Sequence, residues 1–132
     1  MYTVKKTRET HNNNICEEIL RERASVLSRA GMAVSDAINL LRKLDGQIQE
    51  KVSLMDDLRG KENTSFERQK RVSLGKEINA SIEKFNELRE KTKLRYYYLI
   101  VTREALGLRR HDIIFEIYKI PDKKNRFNDG HF

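Results

Sequence analysis

Arg59-Gly60-Lys61-Glu62-Asn63-Thr64-Ser65 is the stretch on which the fold turns. Gly60 suits the left-handed position just past a helix C-terminus, where a Cβ is unwelcome. Thr64 or Ser65 can cap a following helix, and Glu67 stands three residues after Thr64, the spacing of a capping box. A helix stop followed so closely by a helix start predicts a reversal of direction.

Outward from this turn, both flanks carry apolar stripes. On the N-terminal side lie Ile15, Ile19, Val26, Ala30, Ala33, Ala37, Leu41, Leu44, Ile48, Met55 and Leu58. Most steps are three or four residues, as one buried helix face requires. Gly31 interrupts the stripe, and Ser35-Asp36 offers a fresh cap. A bend or break is expected there, and a full break would turn the hairpin into a three-helix bundle. On the C-terminal side lie Phe66, Leu74, Ile78, Ile82, Phe85, Leu88, Leu94 or Arg95, Leu99 and Leu106, before Gly107.

Folding the chain so that facing residue numbers sum to about 122 makes nearly every layer apolar. Leu44 then meets Ile78, Ile48 meets Leu74, Ala37 meets Phe85, Val34 meets Leu88, Val26 meets Tyr96 and Met55 meets Phe66. Gly46 falls beside Gly75 in one thin layer. The fold class is therefore all-α, a long antiparallel helical hairpin of coiled-coil type. A single helical domain is expected over 14–120, with its tip near 60–65. Residues 1–13, ending in His11-Asn12-Asn13-Asn14, read as a flexible arm with Asn13 or Asn14 as helix cap. Residues 112–120 read as a short helix begun by Asp112 and stopped by Pro121, although their β-branched content also fits a strand. The polar residues 121–132 read as a flexible tail.

Composition agrees with long two-faced helices. Of the 132 residues 38% are hydrophobic and 36% charged, with one Pro and six Gly. Cys16 is the only cysteine, which excludes an internal disulfide and fits a reducing compartment. The start shows no signal-peptide pattern, and the apolar run Tyr96 to Val101 falls far short of the ~20 residues a membrane span needs. A cytoplasmic location is the expectation.

Enzyme chemistry finds no foothold. His11, His111 and His131 lie far apart, and no His or Cys pair has zinc-site spacing. The glycines at 31, 46, 60 and 75 form no phosphate-binding loop. Neither a metal nor a cofactor is expected, and no acid–base or nucleophile set stands out.

Charge is placed unevenly. Residues 1–88 hold 16 Lys/Arg and 14 Asp/Glu, whereas residues 89–132 hold 11 and 6. The last third is thus basic, and aromatic as well. Arg95, Tyr96, Tyr97, Arg103, Arg109, Arg110, Phe115 and Tyr118 are the candidate contact residues. Tyr96-Tyr97-Tyr98 sweeps about 200° of a helix, so the three cannot share one environment. The packing expectation is that 108–120 folds back over part of the string. The functional expectation is a non-enzymatic adaptor or chaperone that holds another protein with an acidic face. Nucleic acid is the alternative ligand, since bases stack on aromatics beside cations. Self-association is compatible with the same pattern.

A further reading concerns the tip, where Asp56, Asp57 and Glu62 gather. In outline this resembles the acidic-tipped helical fingers of the transcription factors that enter the secondary channel of bacterial RNA polymerase. The resemblance implies a regulator acting through its tip. It extends to shape alone, and Arg59 and Lys61 sit among the acids.

Overall fold

The computed structural model describes residues 2–60 and 64–128, with side chains from residue 8 onward. Three helices follow one another: α1 (Tyr2–Arg59), α2 (Ser65–Ala105) and α3 (Asp112–Ile117). No strand occurs among the described residues. α1 and α2 pack antiparallel, so the protein is an all-α helical hairpin with a short C-terminal helix.

The turn forms partly as read. Thr64 Oγ1 accepts from the Glu67 amide at 3.2 Å, and the Thr64 amide donates to Glu67 Oε2 at 3.4 Å, closing the capping box. Gly60 does not adopt the left-handed conformation. That role falls to Gly107, at φ 86°, where Leu108 donates to the Arg103 carbonyl at 2.9 Å and Gly107 to that of Glu104 at 3.0 Å. This Schellman ending stops α2 and lets the chain fold back.

α1 departs from expectation at both of its doubtful points. It does not begin at Asn13 or Asn14 but runs through them, so the arm expected at 1–13 continues the helix from Tyr2. Nor does it break at Gly31, which rules out the three-helix bundle. A Cβ at Gly31 would stand 3.3 Å from the Tyr118 hydroxyl, so this glycine makes room for a neighbour rather than for a bend.

The core divides in two. Toward the tip, Leu41, Ile48 and Met55 of α1 cluster with Ile78, Ile82 and Phe85 of α2. Toward the open end, Val34 and Ile38 cluster with Leu99 and with Ile114 of α3. The register is about two to three turns removed from the expected one. Lys51 Nζ donates to Ser81 Oγ at 3.0 Å and Arg95 to the Ala33 carbonyl at 3.4 Å, pairs whose numbers sum to 132 and 128. Phe66 accordingly overshoots Met55, and its side chain is 69% exposed under Lys70. Val26 is exposed rather than packed on Tyr96, and Val34 meets Leu99 rather than Leu88 across the open-end core.

The thin layer is also absent. Gly75 is buried, but Gly46 faces solvent, and a Cβ there would meet nothing within 4 Å. Gly46→Ala should therefore stabilise the protein by about 0.5–1 kcal/mol, since alanine loses less backbone entropy in a helix. A higher melting temperature is the expected readout, and a lower one would place an unseen neighbour at Gly46.

α3 begins at Asp112 with His111 as its cap residue, but no side chain closes that cap. It ends at Ile117, ahead of Pro121. The tail expected at 121–132 is held down through residue 128. Arg89 Nε donates to the Pro121 carbonyl at 2.7 Å, and the Phe127 amide donates to Asn79 Oδ1 at 2.8 Å. Asn86 does both jobs at Lys124: its Nδ2 donates to the carbonyl and its Oδ1 accepts from the amide, each at 2.9 Å. Lys124 also pairs with Asp45 of α1 and lies 5.0 Å above the Phe85 ring, while Phe127 packs on the tip-side core. The strap so formed runs back toward the tip, because 121, 124 and 127 meet 89, 86 and 79 in turn. An extended segment without a strand partner must pair its backbone with side chains. Asn79 and Asn86, two helical turns apart, present amides along one face of α2 for that purpose.

Candidate interaction surface at the open end

The expected contact residues separate into three groups. Tyr96 and Tyr118 belong to the packing. Tyr96 leans on the open-end core and stacks on Phe115 with ring centroids 6.0 Å apart. Its hydroxyl is buried without a hydrogen-bond partner among the described residues, and desolvation raises its pKa above the usual tyrosine value. Tyr118 covers Gly31 and the same core. α3 thus covers one member of the tyrosine string and leaves Tyr97 and Tyr98 exposed.

Arg103 joins α2 to the α3 approach. Its Nε faces His111 Nδ1 at 3.3 Å, and its NH2 group donates to the Arg110 carbonyl at 2.8 Å. If Nδ1 accepts from Arg103, the His111 ring proton sits on Nε2, which points at Glu104 Oε1 3.2 Å away. Arg103, His111 and Glu104 thereby fasten the loop that Gly107 begins. Sequence spacing hid this set, because His111 looked isolated, although Arg103 and Glu104 lie one turn before a glycine stop.

The third group faces solvent: Arg95, Tyr97, Arg109, Arg110 and Phe115 are exposed. α3 buries Ile114 and turns Ile113, Phe115 and Ile117 outward at 66%, 55% and 58% exposure. Ile113 and Ile117, one turn apart, share an exposed face of this six-residue helix, whereas Phe115 lies about 200° around from Ile113, against Tyr96. At the tip, Asp56 pairs with Arg59 at 3.7 Å and Asp57 is exposed, while Glu62 lies outside the described residues. Among the described residues no three His, Cys, Asp or Glu side chains gather as metal ligands would, and no helix is long and apolar enough to cross a membrane. No family model matches the chain, and neither does any curated protein or solved structure compared with it.

Proposed function

We propose that the chain is a protein-binding helical module, an adaptor or chaperone, that holds a partner with an acidic, partly apolar face at its open end. The exposed Ile113 and Ile117 on one face of α3, with the exposed Arg109 and Arg110 just before it in the chain, carry this reading. Apolar side chains supply the buried area of a contact, and flanking cations select and steer the partner. The loop bearing both arginines is fastened to α2 through Arg103, so the surface is held ready before binding.

The test is affinity capture from extracts of the source cells by the full chain and by its Arg109→Glu, Arg110→Glu double variant. Both side chains are exposed, so helicity and melting should stay within experimental scatter. Recovery of the dominant partner should fall by about tenfold or more, as reversing two contact charges does. Undiminished recovery, combined with loss on Asp56→Lys and Asp57→Lys, would move the site to the tip. Capture of nucleic acid with steep salt dependence would instead favour a phosphate-binding role for the same cations.

A further inference from the structure

Two apolar stripes have no cover among the described residues. The first is on α2. Leu94, Tyr97, Tyr98, Val101 and Ala105 follow the spacing i, i+3, i+4, i+7, i+11, and all are exposed. At 100° per residue their centre lies roughly 180° from that of Ile78, Ile82, Phe85, Thr92 and Leu99, the buried line of the same helix. The last turns of α2 are therefore apolar on opposite sides, with α1 against only one of them.

The second stripe is on α1, which outruns α2 at the open end. Every residue from 8 to 26 is exposed. Within this overhang Ile15, Cys16, Ile19 and Leu20 form a patch. Its centre falls within about 10° of the line through Val34, Ala37, Ile38, Leu41, Ile48 and Met55, again at 100° per residue. The face of α1 that is buried against α2 thus continues, uncovered, past the end of α2.

We infer that the occupant of both stripes is a second copy of this chain. Two hairpins meeting open end to open end about a twofold axis bring their α2 C-termini head to head. Each α1 then runs on past its own α2 and lies along the partner's. In this arrangement α2 is sandwiched between its own α1 and the partner's overhang, which requires apolar faces on its two opposite sides. The overhang must use the face its helix already turns toward α2, which requires a patch continuous with the core line. Both requirements match the observed placement, and confinement of the second α2 stripe to its last turns matches the limited reach of the overhang. That stripe spans about 17 Å and the overhang about 27 Å at 1.5 Å rise per residue, so the overhang is long enough. Symmetry repeats the contact, doubling the area buried.

The two segments that meet differ in the sign of their net charge: residues 8–26 carry four Glu and three Arg, whereas residues 89–105 carry five basic and two acidic side chains. This interface is on the side of α2 away from its own α1, and it does not use α3, Arg109 or Arg110. It therefore stands apart from the partner surface proposed above.

The experiment is sedimentation equilibrium of the full chain at micromolar to tens of micromolar concentration. A dimer is expected. Ile19→Glu on the overhang and Val101→Glu on α2 should each weaken it by about thirtyfold or more, the loss typical of a central interface residue. Both residues are exposed, so helicity should not change. Arg109→Glu with Arg110→Glu should leave the dimer intact, so failure of the protein-binding reading and failure of this one are separately visible. Oxidative cross-linking adds the pairing: Val101→Cys should link between chains to native Cys16, while the unmodified chain should not link Cys16 to Cys16. A monomer throughout the range, a dimer indifferent to both glutamates, or efficient Cys16–Cys16 linkage would each overturn the inference.

Discussion

Phe85→Ala is expected to lower the stability of the hairpin by about 3–5 kcal/mol, a large share of the ~5–15 kcal/mol typical of a single domain. Phe85 is 1% exposed and sits in the tip-side core among Leu41, Ile48, Ile78 and Ile82. Its removal leaves a cavity that two straight helices cannot close without bending, so the transfer and cavity terms add. Its ring also carries Lys124 Nζ at 5.0 Å, which makes it part of the seat of the strap. Urea unfolding followed by circular dichroism would measure the loss. Phe66→Ala is the informative comparison. In the register with facing numbers near 122, Phe66 packs on Met55 and its truncation should hurt comparably. In the observed register it is 69% exposed, and the change should stay within about 0.5 kcal/mol. Equal losses at the two phenylalanines would contradict the observed register.

That register shows how far sequence patterns reach. The capping box at Thr64 and Glu67 and the three-four spacing of both stripes are local, and they placed the turn and the two long helices. Register is set by how far the second helix overshoots the first, and nothing local encodes that. A stripe of apolar residues stays apolar when slid by one turn, so the layer match near 122 was self-consistent and yet displaced. Glycines misled for a related reason. Gly31, Gly60 and Gly107 all grant backbone freedom, but only Gly107 uses it at positive φ. Gly31 instead clears space for Tyr118, a residue 87 positions away, which no window around residue 31 contains.

At the open end, the basic and aromatic composition was plain in the sequence, but the division of labour was not. Tyr96 and Tyr98 differ in sequence only by position, yet one is stacked on Phe115 and the other is exposed. The helical wheel foresees that difference in kind, because neighbours point 100° apart, but which tyrosine faces inward follows from the register. The strap was missed for a more physical reason. Residues 121–128 are polar and lack periodicity, which usually marks a frayed end. Their order comes from the receiving side, through Asn79, Asn86 and Arg89 on α2 and Asp45 on α1. Two asparagines seven residues apart on one helix face were the available signal, since an amide that both donates and accepts can hold an extended backbone.

Asn86→Leu should accordingly release the strap while leaving the hairpin folded. The substitution keeps the side-chain volume but removes both hydrogen bonds to Lys124, whose amide and carbonyl then need water in their place. Each bond is worth about 0.5–1.5 kcal/mol net, and the cost rises where the stranded group stays half-buried. A combined loss of about 2–3 kcal/mol corresponds to roughly 30- to 150-fold faster hydrogen exchange for the amides of residues 122–128. Amides in the middle of α1 should exchange at their original rate, and helicity should hold. Asp45→Asn separates the ionic contribution: it takes the carboxylate from Lys124 but leaves the amide pairing in place. That pair is partly exposed, so it should speed exchange by only a few-fold. If Asn86→Leu has no more effect than Asp45→Asn, the strap is held by Phe127 in its seat rather than by its backbone. Truncating Phe127 to alanine would then be the change that frees it.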